Sequence, residues 1–215
     1  MKPESVIIYE RILHGEYWPK QYVGTPTTLN RSIEILQYLF FEKLQLRDYN
    51  SARSALNREF IAKYRLYQVI KGIPKPPELL PEEYDHVLWL LFPGRKKGRY
   101  TLVLKVYSEV LSGKRNRFPR LYFSDPDWGK YRADVCFRYL CRRVLHMSGD
   151  KIAWEFSHSE GIQLLAKYKL RIILNTVYFS LSELVYSVYP QFYPKLMQYQ
   201  KERDHRINRE RRKKD

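Results

Sequence analysis

The chain has 215 residues, 44% of them hydrophobic and 15% aromatic, with 39 Lys and Arg against 23 Asp and Glu for a formal charge of +16. That length and apolar content predict one or two domains with buried cores, and no stretch approaches the roughly 18 apolar residues of a membrane span. A charge excess of this size costs self-repulsion in the compact state unless an anionic partner offsets it, so nucleic acid is the expected partner and a membrane surface the second.

Residues 4–14 place Val6, Ile7, Tyr9, Ile12 and Leu13 at helical spacing, and Gly15 stops the helix. Tyr17-Trp18-Pro19 and Gly24-Thr25-Pro26 make an irregular connection. A longer helix is predicted from Thr28 to about Leu46. A third follows from Ser51 to Ile70, with Ala55, Leu56, Phe60 and Ile61 inward and Arg53, Arg58 and Lys63 outward. Four prolines between Ile73 and Pro81 exclude helix there, and Glu82 to Phe92 reads as a short apolar helix ended by Pro93-Gly94. Tyr100 to Tyr107 is rich enough in β-branched residues to suggest a strand. Val103, Val106, Tyr107, Val110 and Leu111 nevertheless follow a 3.6-residue period, and helix is predicted. Asp125 and Pro126 are expected as N-cap and first residue of a long helix to about Met147. Ser148 and Ser159 then open two further helices, and Ser180-Leu181-Ser182-Glu183 fits a capping box. From Tyr193 onward cations outnumber apolar residues, so a solvated helix or a disordered tail is expected.

Four stretches recur in the same order. Tyr9–Gly15 matches Tyr107–Gly113, Tyr38-Leu39 matches Tyr139-Leu140, Ala62–Leu66 matches Ala166–Leu170, and His86–Pro93 matches Glu183–Pro190. The chain therefore reads as an all-α protein of two diverged tandem repeats of about 90 residues each. The repeats are placed at 1–93 and 100–194, joined by a basic linker at 94–99 and followed by a basic tail at 195–215.

The cations suggest a footprint for phosphates. The candidates are Arg95, Lys96, Lys97 and Arg99 in the linker; Lys114, Arg115, Arg117 and Arg120 in a loop around Phe118; and Arg209, Arg211 and Arg212 in the tail. Lys167 and Arg171 lie four apart and are expected to share a helix face, with Lys169 pointing elsewhere. Phe118 is expected to anchor its loop to the core. A basic helix, a turn and a capped short helix are compatible with a helix-turn-helix, which favours double-stranded DNA over RNA. The alternative is an adaptor that docks an acidic protein partner.

No cofactor, metal or catalytic residue is expected; Asp125-Pro126-Asp127 offers a nuclease carboxylate pair as the lesser alternative, against which stand a capping role for Asp125 and the absence of surrounding strands. The five histidines fall on separate elements, and no phosphate loop, dinucleotide glycine motif or His-Glu-x-x-His occurs. Cys136 and Cys141, roughly 140° apart on a helix, read as core residues. Met1-Lys2-Pro3-Glu4 does not open a signal peptide, which predicts an intracellular, cytoplasmic location. Nothing in the sequence specifies an oligomeric state.

Gly113-Lys114-Arg115 followed by Phe118-Pro119, then Lys167-Tyr168-Lys169-Leu170, then Tyr189-Pro190 with Phe192 two residues on, resembles an uncharacterised tandem-repeat family of spore-forming Gram-positive bacteria and their phages. The resemblance covers the second repeat well and the first weakly. Units of that family tend to end in Tyr-Pro, a Phe and a nearby Trp; here Lys195-Leu196 stand where the tryptophan would be. The resemblance implies repeat boundaries and carries over no catalytic residue. More distantly, the layout is similar to modular DNA-binding repeats appended to homing endonucleases, a likeness of pattern.

Overall fold

The computed structural model describes residues 2–211, with side chains through Arg209. Among the described residues every regular element is helical, none is long and apolar enough to cross a membrane, and the chain divides into two compact units, Met1–Gly98 and Arg99–Asp215.

In the first unit α1 (Glu4–Leu13) buries Val6, Tyr9 and Ile12 and ends before Gly15, whose φ of 111° suits a residue without Cβ. Helix α2 (Leu29–Gln37) continues into a wider π-helical turn over Tyr38–Lys43 and leaves through Gln45 in the left-handed region, φ 55°. Three short helices follow, α3 (Tyr49–Ala55), α4 (Arg58–Lys63) and α5 (Tyr67–Lys71), then α6 (Asp85–Leu91) and a 3-10 turn at Pro93–Arg95.

The second unit repeats this order. Helix α7 (Arg99–Leu111) ends before Gly113 at φ 78°. Helix α8 (Gly129–Tyr139) runs into a π-helical turn over Leu140–Val144 and leaves through His146 at φ 48°. Then come α9 (Gly149–Glu155), α10 (Glu160–Lys167), α11 (Ile173–Thr176), α12 (Leu181–Val188), a 3-10 turn at Pro190–Phe192, and α13 (Tyr193–Arg211). The left-handed residues recur as well: Gln21 with Leu121, Gln45 with His146, and Arg65 with Lys169. Such backbone is uncommon for residues other than glycine, so its recurrence at matched positions marks a shared skeleton. Residues 100–107 lie within α7, so the helical period prevailed over β-branched content.

Several expected boundaries are corrected. The single helix predicted over residues 51–70 is three, because Asn57 accepts from the Phe60 amide at 2.8 Å and restarts the helix, and Arg65 at φ 51° ends it. The helix predicted from Ser159 likewise breaks at Lys169, φ 63°. Asp125 does not cap α8: its Oδ1 accepts from the amides of Asp127 and Trp128, both at 3.0 Å, and closes a turn before Gly129. A Cβ at Gly129 would lie 2.2 Å from the Phe123 carbonyl oxygen, so glycine permits that close approach. At α12 Ser180 accepts from the Glu183 amide as expected, at 3.1 Å, whereas the Glu183 carboxylate accepts from Phe179, one residue before the cap.

The segment read as a tail is the body of α13. Its helix begins at Tyr193, so Leu196 is fully buried, Met197 and Tyr199 pack on the core, and Arg203 donates to the Ser157 carbonyl at 3.0 Å. Burial supplied by its first turns supports the polar residues that follow.

One buried tyrosine registers each repeat. Tyr9 donates to the carbonyl of Tyr64 at 2.8 Å, and Tyr107 to that of Tyr168 at 3.1 Å; both tyrosines are fully buried. Their rings receive Trp18 and Phe118 in stacked geometry, with centroids 6.0 and 5.9 Å apart. Phe118 therefore anchors its loop, as the sequence suggests. Cys136 and Cys141 are buried and free, and burial pushes both thiols up.

Tyr9→Phe and Tyr107→Phe, which each leave a helix-end carbonyl without its donor, are expected to destabilise their units by about 1–2 kcal/mol in urea denaturation. Burial also raises the pKa of both phenols, so the neutral form is the folded one. Stability is intact below the ordinary phenol pKa of 10.0 and is lost as pH rises above it. Each buried tyrosine contributes a slope of up to ~1.4 kcal/mol per pH unit, which the phenylalanine variants lack.

Candidate nucleic-acid interface

In the second unit the loop after α7 faces the left-handed turn between α10 and α11 across an open cleft of about 890 Å³. Arg117 and Arg120 enter from the loop, Lys169 and Arg171 from the turn. All four are exposed, no acidic residue lines the cleft, and among the described residues none of the four has an acidic partner. Apolar groups cover much of the rest: Phe118 and Val110 beneath, with Leu121 at 68% and Ile172 at 48% exposure. Like charges held this close raise the positive potential of a recess walled by low-dielectric groups.

The loop is fixed by a buried carboxylate. Glu109 on α7 takes Arg115 Nε at 2.6 Å, Lys105 Nζ at 2.9 Å and Lys114 Nζ at 3.5 Å, and its carbonyl accepts the Arg115 amide at 2.9 Å. Burial works to raise the Glu109 pKa, and the hydrogen bonds from Arg115 and Lys105 outweigh it, leaving the carboxyl below its ordinary 4.5.

The structure thus brings together Arg117, Arg120 and Arg171 from the sequence-predicted set and separates the rest. The half-buried Arg115 pairs with Glu109, and Lys114 turns to the same carboxylate. Lys167 does not share a helix face with Arg171, because α10 ends at Lys167; its ammonium lies over the Tyr168 ring. Arg99 lies over Trp128 at the start of α7. Arg95, Lys96 and Lys97 are exposed but belong to the first unit. Arg209 is exposed on α13, and the Arg211 side chain and Arg212 lie outside the described residues.

Lys169 was missed because a continuous helix would point it away. The left-handed turn redirects it, and the signal available in the sequence was its match to Arg65 in the repeat. Arg65 donates to the carbonyls of Ile12 and Glu16, both at 2.8 Å, and so ties down the corresponding loop of the first unit. In the second unit Glu109 and Arg115 do that work, which leaves the cation at this turn open to the cleft.

The helix-turn-helix reading meets a different geometry. Between α10 and α12 lie thirteen residues containing α11, and α12 buries Leu184, Val185 and Val188 and carries no Lys or Arg. A groove-reading helix that carries no cation and exposes the Glu183 carboxylate is poorly suited to a polyanion's base edges. Among the described residues no three His, Cys, Asp or Glu side chains gather as a metal site.

The family described as "Protein of unknown function (DUF4046)" matches this chain twice in tandem, over residues 6–94 and 103–193. No curated protein and no solved structure matches it.

Glu109→Ala is expected to destabilise the second unit by about 2 kcal/mol, since it leaves the half-buried Arg115 without its carboxylate. The lowered carboxyl pKa gives a pH signature. Its stabilisation is present above 4.5 and lost as pH falls through the lower folded-state value, so Glu109→Gln shows a shallower acid slope than wild type in denaturation across that range.

Proposed function

We propose that this chain, which belongs to the DUF4046 family, binds nucleic acid through its phosphate backbone and acts on it without catalysis. The cleft of the second unit carries this reading: four exposed cations enter it from two segments with no acid among them, and an apolar floor lies beneath. Guanidinium and ammonium groups recognise phosphate oxygens by charge and hydrogen bonding, independently of base identity. The distribution of charge agrees. Residues 99–215 hold 24 Lys and Arg against 12 Asp and Glu, whereas residues 1–98 hold 15 against 11. The basic excess is therefore concentrated in the unit that holds the cleft. With α12 unsuited to a groove, affinity arises from phosphates rather than from a recognition helix. A ligand of this kind agrees with a cytoplasmic location.

Affinity for a labelled oligonucleotide, measured by anisotropy across a salt series, tests the reading. Each phosphate contact contributes about 0.9 to the slope of log affinity against log salt on duplex DNA and about 0.7 on a single strand. Combined Arg117→Ala, Arg120→Ala, Lys169→Ala and Arg171→Ala, all at exposed positions, is expected to flatten that slope by about 3 and leave the circular dichroism spectrum unchanged. An unchanged slope removes the cleft from the interface. Displacement by polyglutamate as effective as by nucleic acid of equal charge assigns the surface to an acidic protein instead.

A further inference from the structure

The first unit has a cleft at the place where the second unit has its cationic one. It lies between the loop after α1 and the turn after Lys63, and measures about 270 Å³. The same contacts recur at the two loops. Tyr22 and Tyr122 donate their amides to the Pro19 and Pro119 carbonyls at 3.1 and 3.2 Å. Arg31 and Arg132 donate to the carbonyls of Tyr22 and Tyr122 and lie over those rings, each 4.5 Å from the centroid. The chemistry differs. Arg117 is replaced by Tyr17 and Arg171 by Tyr67, while Arg65, at the position of Lys169, is tied to two loop carbonyls.

Tyr17 is 91% exposed and Tyr67 69% exposed, and both line this cleft with Ile12, Ile61 and Trp18 and with Glu16, its one acidic residue. Two tyrosines held out of the core beside one recess leave their ring faces open to a flat ligand. Lys20, at the position of Arg120, lines an adjoining recess that shares Tyr17, Trp18 and Gln68 with the cleft.

We infer that the first repeat's cleft holds an unpaired nucleobase stacked on Tyr17 and Tyr67, so that the nucleic acid bound is single-stranded. This rests on the nucleic-acid reading above and names the form of the ligand. An aromatic ring offers a flat face to any base, and in a duplex those faces are covered by neighbouring base pairs. The duplicated cleft has kept its position and exchanged phosphate-binding cations for stacking rings. A strand with free bases presents both chemistries.

The test uses the full-length protein with three labelled probes: a single-stranded oligothymidylate, an abasic strand of equal length and charge, and a duplex. Wild type is expected to prefer the strand with bases over the abasic strand by a factor on the order of 5 to 150 for a stacked base. Tyr17→Ser with Tyr67→Ser, both at exposed positions, is expected to abolish that preference while abasic-strand affinity and circular dichroism stay the same. Equal affinity of wild type for the two strands, or a variant that weakens both alike, overturns the inference and leaves phosphate binding standing. Failure of all three probes to bind instead overturns the nucleic-acid reading itself. A proline-rich peptide that binds wild type but not the double variant, with no base preference on the strands, gives the tyrosines to a protein partner and also overturns the inference.

Discussion

A helix end leaves its last carbonyls without amide partners, and in each repeat one of these is met from across the core by a tyrosine hydroxyl. Tyr9 reaches Tyr64 and Tyr107 reaches Tyr168, in both cases the residue before the chain turns left-handed. A hydroxyl buried without a partner is costly, so the bond sets the register of the first helix against the fourth. The same ring then receives Trp18 or Phe118 on its face, which fixes the start of the following loop. Loop and left-handed turn are thereby held on two sides of one recess. The clefts are a consequence of how the tyrosine is satisfied.

With the skeleton held by interactions common to both repeats, the side chains facing the clefts were free to diverge. At one helical position Arg11 in the first repeat corresponds to Glu109 in the second. Glu109 gathers Arg115, Lys105 and Lys114 and secures its loop by ion pairing, whereas the first repeat secures its loop with Arg65 on two carbonyls. The two solutions do the same structural work with different atoms. Their effects on the clefts differ, because Arg65 lines the first cleft with its guanidinium tied to two carbonyls, whereas Lys169 stands in the second cleft without such a tie.

Helical class and repeat organisation were legible in the sequence because they rest on periodicity and on recurring short motifs. The helix at Tyr100 to Tyr107 is the clearest instance: β-branched content pointed to a strand, and the 3.6-residue period of Val103, Val106, Tyr107, Val110 and Leu111 pointed to a helix. The breaks at Arg65 and Lys169 were illegible, because neither residue is one that local propensity assigns to left-handed backbone. That single error carried into the site. It put Lys167 and Arg171 on one face and sent Lys169 away, whereas the turn places Lys169 and Arg171 in the cleft. Arg115 was misplaced for a different reason: charge counts do not reveal which cations a buried carboxylate holds, and Glu109 lies on the preceding helix. The α13 segment was undervalued because its polar residues were weighed apart from Leu196, which lies within the same helix and is buried.

The left-handed cation itself carries the final step. A glycine would adopt a φ near 60° at the end of α10 without steric cost, while a residue with a Cβ pays on the order of 1 kcal/mol. Both repeats hold a cation there, Arg65 at φ 51° and Lys169 at φ 63°. In the first repeat the strain has a structural return, since Arg65 makes two hydrogen bonds that a glycine could not. In the second repeat Lys169 makes no such bond among the described residues, and its loop is already secured through Glu109. Local strain persists where the surrounding structure imposes it and a function uses it. For Lys169 the position leaves an ammonium beside Arg171 and opposite Arg117 and Arg120, which is the arrangement the proposed phosphate contact rests on.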